Sequence, residues 1–431
     1  MYRKYNKINH QNIFGKNKTI KYKFKKINQI GKEEINTVNH VMRSGILSDF
    51  IASEGLKMFG GKKVLEFEKK ICNFFNVKHA ITFNSWTSGL IAAVGSLDVE
   101  PGDEIILSPW TMSATAMAIL HWNCIPIFAD IDIDTFCIDP ESVIKNISKR
   151  TKAIVAIDIF GHSSNIIELK KICKKYSLKL ILDTAQAPGA KNAKKFAGTQ
   201  GDIGGFSLNY HKHIHTGEGG IVVTNNSYYA KKIKFIRNHG ESLVKTNNYK
   251  FLSNMIGYNF RMGEIEAAIG IEQLKKLNKF VKKKQEIGKK LNEGLKNLHG
   301  LIIPTTKKFN SHVYYLYPLK LDTKKIKVNK NILIKALEFE GVQGLISQYQ
   351  NLHLLPIFQN KIAYGKKHFP WSIVDKNRKI NYKKGICPNA EFLNDKSFFA
   401  ILLCLYDLNT KDINLIIKSF NKVWSNLKSL K

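Results

Sequence analysis

The stretch FSLNYHKHIHTGEGGIVVT, residues 206–224, places Lys212 between a short apolar strand and a glycine-rich turn that leads into a β-branched strand. A lysine held on a tight loop beside a sheet can lose its proton and attack a carbonyl group, as Schiff-base chemistry requires. A solvated lysine is the simpler interpretation, because lysines are rarely buried. The residues on either side of this stretch decide between the two interpretations.

The chain before Lys212 alternates strand and helix at short intervals. The predicted strands are 80–83, 104–107, 125–129, 153–160 and 179–182, and the predicted helices are 89–97, 113–121 and 166–176. This alternation indicates a largely parallel sheet covered by helices, and such sheets bind ligands at the carboxyl ends of their strands. We therefore predict an α/β fold with its functional residues directly after strands.

Polar residues follow several of these predicted strands. The turn NSWTS, residues 84–88, places hydroxyl and amide groups at a helix start, which suits either a plain N-cap or an anion site. Asp183 follows another strand, either as a cap or as a functional acid. With Ser207 and Lys212, these residues supply the phosphate cradle, the acid and the Schiff-base lysine that pyridoxal phosphate requires.

Ordered motifs around these residues resemble the DegT/StrS family of sugar aminotransferases, within the aspartate aminotransferase fold (fold type I). The matching segments are PGDE (101–104), RTKA (150–153), DTAQAPGA (183–190), GDIG (201–204), GEGG (217–220), GYNFRM (257–262), EAAIG (266–270) and QL (273–274). The likeness runs from about residue 30 to about residue 425. Several motifs in the family's order are specific, whereas GEGG alone would be weak.

The resemblance implies a role for each matching residue. Lys212 would form the Schiff base with pyridoxal phosphate and move protons, and Asp183 would keep the pyridine nitrogen protonated. Gln186 would lie near the phenolic oxygen of the cofactor. The residues assigned to the phosphate are Thr87, Ser88 and Ser207. Asn259 would reach the same site from the other subunit, which implies a homodimer with shared active sites.

Two positions depart from the family's pattern. The family usually has an aromatic residue directly after the threonine matched by Thr111, where it packs on the cofactor ring. This chain has Met112 there and Trp110 two residues earlier, so either side chain could pack on the ring. Trp86 stands in the phosphate loop, where the family usually has a small residue.

By this resemblance the protein is a pyridoxal-phosphate aminotransferase that moves an amino group from glutamate to a keto sugar. The sugar would be a nucleotide-linked keto-deoxysugar used for surface polysaccharides. The sequence leaves open which sugar and which carbon are aminated, and whether the donor is glutamate or glutamine. The alternative is a sugar dehydratase of the same family, in which histidine replaces the lysine. Lys212 favours the aminotransferase, although His211 and His213 flank it.

Two features of the sequence suggest other classes of function. His211, His213 and His215 alternate, so on an extended segment they would share one face and could bind a metal ion. No acidic residue accompanies them, and we expect no metal site. The formal net charge of +34 suggests binding to nucleic acid, but the lysines that carry this charge are spread over most of the chain. Codon bias in an AT-rich genome explains them, so we expect no nucleic-acid target.

The chain is predicted to have three parts. Residues 1–30 form a basic arm of undetermined role, 31–280 the large cofactor-binding domain, and 281–431 a smaller α+β domain. A loop-rich insertion occupies about 345–392 of the small domain, and loops that border a site often set substrate choice. Its candidates for contact with the sugar are Tyr349, His368 and Trp371, although surface packing explains them equally well.

The sequence also indicates where the protein is found. The N-terminal residues lack the apolar core of a signal peptide, and the longest apolar run, residues 398–406, is too short to span a membrane. The six cysteines include no C-x-x-C pair, which is typical of reduced thiols. We therefore expect a cytoplasmic protein without a membrane span.

Overall fold

The structure is a computed structural model, and it describes residues 17–53, 55–244, 252–374 and 379–430. Its strands are β1 (His79–Phe83), β2 (Glu104–Leu107), β3 (Ile125–Phe128), β4 (Thr151–Ile157), β5 (Lys179–Asp183), β6 (Lys191–Asn192), β7 (Lys195–Phe196), β8 (Ile203–Ser207), β9 (Gly220–Thr224), β10 (Leu301–Ile302), β11 (Tyr317–Leu321), β12 (Leu345–Ile346) and β13 (Phe398–Ile401). Its α-helices are α1 (Lys32–Ser44), α2 (Lys62–Phe75), α3 (Trp86–Gly95), α4 (Ser113–His121), α5 (Pro140–Asn146), α6 (Ile166–Tyr176), α7 (Ser227–Arg237), α8 (Glu264–Leu295), α9 (Lys330–Phe339), α10 (Pro356–Gln359), α11 (Pro388–Phe392) and α12 (Thr410–Ser425).

Seven strands form the central sheet in the order β1-β9-β8-β5-β4-β2-β3. The five strands from β8 to β3 pair in parallel, whereas β9 pairs antiparallel with both β8 and β1. The residues of β2 and β3 are all buried, as expected for parallel strands covered on both faces. Helices α2, α3, α4, α6, α7 and α8 place apolar residues in the same buried cluster. This confirms the predicted α/β fold with a mostly parallel sheet.

Most predicted helices are present, with some different boundaries. Helix α1 ends at Gly45, whose φ of +71° is the left-handed conformation that glycine favours. Helix α3 begins at Trp86, three residues before the predicted start, because Ser85 caps it by accepting a hydrogen bond from the Ser88 amide. Helix α8 runs from Glu264 to Leu295, across the boundary predicted at residue 280 between the two domains. It continues as one 32-residue helix because its apolar face contacts two successive cores.

A second sheet shares a hydrophobic core with the carboxyl-terminal half of α8. It has the order β10-β11-β13-β12, and its pairs are antiparallel. Its core includes Leu291 and Leu295 of α8 and Phe420 of α12. Ile20 and Phe24, from the segment that we predicted as a basic arm, are also buried there. Residues 1–16 of that predicted arm lie outside the described part of the chain.

The loop-rich segment after β12 packs on the central sheet. Leu352, Phe358, Tyr382 and Cys387 belong to the same buried cluster as the strands of that sheet. The apolar residues of this segment therefore fix it over the large core. Among the described helices, none is both long enough and apolar enough to cross a membrane.

Candidate active site

A cavity of about 270 Å³ lies where β4, β5 and β8 end. The parallel strands bring their carboxyl ends to one edge of the sheet, so residues far apart in the chain meet there. The predicted site residues that line this cavity are Thr87, Met112, Asp183, Gln186, Ser207, Lys212 and Tyr349. A larger cavity of about 740 Å³ shares His211, Lys212 and Tyr315 with it, so Lys212 lies between the two.

Lys212 lies in the turn after β8, where its backbone N–H donates to the Asn209 carbonyl at 2.9 Å. Its Nζ lies 4.6 Å from the centroid of the Tyr315 ring. Burial lowers the pKa of Lys212 to about 8, although the negative charge of Asp183 opposes this shift. An amine with such a pKa can exchange a proton near neutral pH, as a Schiff-base lysine must.

Asp183 is the last residue of β5, and its carboxylate is buried. Its Oδ1 accepts hydrogen bonds from Trp86 Nε1 at 2.7 Å and from the Ala185 amide at 3.2 Å. Its Oδ2 accepts one from Thr115 Oγ1 at 2.9 Å. Burial raises the pKa of Asp183, whereas these hydrogen bonds and the charge of Lys212 lower it. The carboxylate is therefore held by donors on several sides.

The turn before α3 carries the residues predicted to bind phosphate. The Ser88 hydroxyl donates to Asn84 Oδ1 at 2.7 Å, and the Ser88 amide donates to Ser85 Oγ at 3.1 Å. Ser88 therefore helps to cap the helix, and it is not among the residues that line the cavity. Thr87 lines the cavity beside the start of a ten-residue helix, where amide groups favour an anion. Ser207 lines it from the end of β8.

Met112 and Trp110 occupy different surroundings. Met112 lines the cavity, and 67% of its surface is exposed. Trp110 is fully buried, its ring stacks on that of Phe136, and its Nε1 donates to Asn351 Oδ1 at 2.7 Å. Trp110 does not line the cavity because its aromatic neighbours enclose it. Of these two side chains, only Met112 can reach a ring bound in the cavity.

Gln186 joins two segments at the cavity wall. Its Oε1 accepts a hydrogen bond from the Phe160 amide at 2.8 Å, and its Nε2 donates to the Tyr349 hydroxyl at 3.1 Å. Phe160 has a φ of +59°, a left-handed conformation that a side chain other than glycine rarely adopts. Gln186 therefore supports a strained backbone segment and also positions Tyr349.

Three predicted site residues lie elsewhere in this chain. Asn259 is exposed, and its Oδ1 accepts a hydrogen bond from Arg261 Nε at 2.7 Å. His368 is also exposed, whereas Trp371 is buried and donates to the Tyr382 hydroxyl at 2.9 Å. His368 and Trp371 do not line the cavity that we had predicted them to border, because their loop packs away on the core.

Some residues at the cavity were not identified from the sequence. Thr115 follows Thr111 by one helical turn, and the two hydroxyls lie 2.9 Å apart. Tyr315 lies two residues before β11 and lines the cavity, but it was not among the predicted site residues. Trp86 was noted as a departure from the family, but its contact with Asp183 was not predicted. The helical spacing of Thr115 was an available signal, whereas the other two contacts join distant segments.

The alternating histidines do not share one environment. His213 is buried, and its Nε2 lies 2.8 Å from the Val313 carbonyl, whereas His211 lines the cavity. Burial lowers the pKa of both imidazoles to about 4, so both are neutral at pH 7. Within the described ranges, no group of three or more His, Cys, Asp or Glu residues is arranged to hold a metal ion.

The mostly parallel sheet covered by helices is the fold of the type I aminotransferases, and Asp183 and Lys212 line one cavity at its carboxyl edge. The chain belongs to the DegT/DnrJ/EryC1/StrS aminotransferase family, whose model matches residues 28–381. The protein is therefore an enzyme, a transaminase of a family that depends on pyridoxal phosphate.

Several known proteins are similar to this chain. The spore coat polysaccharide biosynthesis protein SpsC of Bacillus subtilis is 33% identical over 347 residues, which are 79% of this chain and 86% of SpsC. The UDP-4-amino-4,6-dideoxy-N-acetyl-beta-L-altrosamine transaminase of Helicobacter pylori is 35% identical over 310 residues, 70% of this chain and 78% of that protein. The structure of Helicobacter pylori PseC, an aminotransferase involved in the biosynthesis of pseudoaminic acid, matches with a TM-score of 0.75 and 28% identity, covering 94% of this chain and 99% of PseC.

Proposed function

We propose that this enzyme binds pyridoxal phosphate in the 270 Å³ cavity and transfers an amino group from glutamate to a nucleotide-linked keto-deoxysugar. One observation carries the proposal: Lys212, whose pKa is lowered, and the buried Asp183 line the same cavity. The name of the Helicobacter pylori relative specifies a UDP-linked amino sugar, and that of SpsC specifies polysaccharide biosynthesis. The product would accordingly enter a surface polysaccharide.

The residues at the cavity fit the chemistry of this cofactor. Oδ2 of Asp183 accepts one hydrogen bond from the part of the chain that the structure describes, so it can accept another from a pyridine N–H. Thr87, the start of α3 and Ser207 offer donors for a phosphate. Met112 offers a polarisable surface for the ring. When bound, pyridoxal phosphate supplies an electron sink for the carbon that loses a proton.

The proton transfers are assigned to Lys212. With a pKa of about 8, about a tenth of the Lys212 amine is neutral at pH 7, so the side chain can accept a proton from substrate and later return it. The Tyr315 ring lies against the amine, and its aromatic face stabilises the protonated form. Tyr349, held by Gln186, would orient a polar group of the substrate at the opposite wall.

The proposed assembly is a homodimer in which Asn259 of one subunit completes the cavity of the other. Asn259 is exposed in its own chain, which leaves it accessible to a second copy. An active site shared in this way would make dimerisation a condition of activity. Glutamate, the dimer and the cytoplasmic location belong to this proposal.

The test is the visible absorption spectrum of the purified protein with pyridoxal phosphate, before and after addition of glutamate. We expect an absorption band that disappears with glutamate and does not form in Lys212→Ala. The matched control is Lys330→Ala, because burial lowers the pKa of Lys330 to about 8 as well but this lysine lies in α9, away from the cavity. A band that forms but ignores every amino donor would favour the dehydratase. Absence of any band would refute the cofactor assignment.

A further inference from the structure

Trp86 contacts the acid of the proposed cofactor site. It is the first residue of α3, only 6% of its surface is exposed, and it lines the cavity. Its indole Nε1 donates to Oδ1 of Asp183 at 2.7 Å, a short distance for an N–H donor. The hydrogen bond joins the start of α3, which follows β1, to the end of β5, and two strands lie between β1 and β5 in the sheet.

The surrounding residues leave room for this indole. A Cβ atom built on Gly205 would lie 2.0 Å from Cζ3 of Trp86, and one built on Gly89 would lie 3.0 Å from Cε3. Any side chain at Gly205 would therefore displace the ring. The large residue at position 86 and the glycine at position 205 fit each other, and the close packing fixes the ring.

The hydrogen bonds distinguish the two oxygens of Asp183. Among the described residues, Oδ1 accepts from both Trp86 and the Ala185 amide, whereas Oδ2 accepts from Thr115 alone. Each carboxylate oxygen has about two acceptor sites. Oδ1 is consequently saturated, and Oδ2 keeps one site for a donor in the cavity. Without the indole N–H, this difference between the oxygens would be lost.

The charges near Asp183 make each donor important. Asp158, at the end of β4, is a second buried carboxylate, and burial raises its pKa to about 6. The negative charge of Asp183 raises the pKa of Asp158 further, while the positive charge of Lys212 favours the ionisation of Asp183. A carboxylate in this environment takes up a proton more readily when it loses a hydrogen-bond donor.

We propose that Trp86 is a positioning residue for the cofactor: its indole N–H saturates Oδ1 of Asp183, keeps the carboxylate ionised and leaves Oδ2 for the pyridine nitrogen. This inference rests on the proposed function. Without the indole N–H, Asp183 becomes the stronger base, and the proton shared with the pyridine nitrogen moves to the carboxylate. The cofactor then withdraws electrons less effectively, although it can still bind.

The test uses Trp86→Phe, which keeps an aromatic ring and removes the N–H donor. The matched control is Trp122→Phe, because Trp122 is also 6% exposed, packs on a glycine and donates its Nε1 at 2.7 Å, but to the Ile91 carbonyl. The measurement is the ¹⁵N chemical shift of labelled pyridoxal phosphate bound to each protein, which reports whether the pyridine nitrogen is protonated.

We expect a protonated nitrogen in the wild type and in Trp122→Phe, and a shift toward the unprotonated value in Trp86→Phe. The rate of the half-reaction with glutamate should fall about tenfold or more, as expected for a lost hydrogen bond to a charged group. An unchanged shift in Trp86→Phe, or an equal change in both variants, would overturn the inference. Failure of the wild type to bind pyridoxal phosphate would instead refute the proposed function.

A second measurement uses the wild-type protein, so it does not depend on whether a variant at position 86 folds. In wild-type protein with ¹⁵N-labelled tryptophan, we expect one indole N–H resonance to move when pyridoxal phosphate binds, because the Asp183 carboxylate that accepts from Trp86 gains a second partner at Oδ2. The Trp122 resonance, identified from Trp122→Phe, should stay in place. If no indole N–H resonance responds to the cofactor, Trp86 does not act through Asp183.

Discussion

Lys212 Nζ lies 4.6 Å from the centroid of the Tyr315 ring, and both residues line each of the two neighbouring cavities. The ring presents its negative face to the ammonium group. Burial dominates, since the pKa of Lys212 is lowered to about 8. In the folded protein without cofactor, burial therefore destabilises the charged form of Lys212.

This relationship predicts that Lys212→Met stabilises the cofactor-free protein at pH 7. The pKa of Lys212 is about 8 in the folded state and 10.5 in the unfolded state, so the penalty is complete below pH 8 and disappears as the pH rises to 10.5. We expect a gain in unfolding free energy of about 3 kcal/mol at pH 7. Urea unfolding at several pH values measures it, and a gain that is equally large at pH 10.5 would contradict this explanation.

Gln186 provides a second prediction. Gln186→Leu leaves the Phe160 amide without its acceptor in a backbone segment already strained by a φ of +59°, so we expect a loss of about 1–3 kcal/mol in unfolding free energy. Tyr349→Phe is the matched control, because it removes only the acceptor of the Gln186 amide group at the cavity wall. Equal losses in the two variants, measured by urea unfolding, would show that the Phe160 contact is unimportant.

The buried ion pair between Arg237 and Glu68 supports the first strand of the sheet. Arg237 Nη1 lies 2.6 Å from Glu68 Oε1, which also accepts from the Thr82 amide at 2.9 Å. Arg237→Met leaves a buried carboxylate uncompensated, so we expect a loss of about 3–5 kcal/mol in unfolding free energy.

Two further variants test this interpretation. The double variant Glu68→Gln, Arg237→Met should recover part of the loss, since the buried charge is gone. Lys384→Ala breaks an exposed ion pair with Asp395 and should cost less than about 1 kcal/mol. A double variant less stable than Arg237→Met alone would argue against the unpaired charge as the cause.

The proposed sharing of the active site predicts complementation between inactive variants. Lys212→Ala and Asn259→Ala should each be inactive, but mixed dimers contain one intact site if Asn259 acts on the partner's cavity. After unfolding and refolding of an equal mixture, we expect about a quarter of wild-type activity in a glutamate-dependent assay. Lys212→Ala mixed with Asp183→Ala is the control, because both residues line the same subunit's cavity and no site is restored. Recovery of activity in the control mixture but not in the first mixture would contradict the assignment of Asn259 to the partner's cavity.

The sequence was sufficient to place the chemical groups along the fold. Strands β2 and β5 and helices α4 and α6 lie where the apolar patterns predicted them, within one residue at each end. Because parallel strands share one direction, the order of the elements alone predicts that Asp183, Ser207 and Lys212 meet at one edge. The structure brings these three to one cavity with Thr87, Met112, Gln186 and Tyr349.

Packing between distant segments decided the rest. Trp86 and Asp183 are 97 positions apart, and Trp110 and Asn351 are 241 apart, so no local pattern reports either hydrogen bond. The tertiary structure alone decided that Met112 rather than Trp110 faces the cavity, and that the loop of His368 and Trp371 packs away from it. Hydrophobic periodicity specifies which face of an element is buried, but the partner that covers it depends on how the whole chain packs.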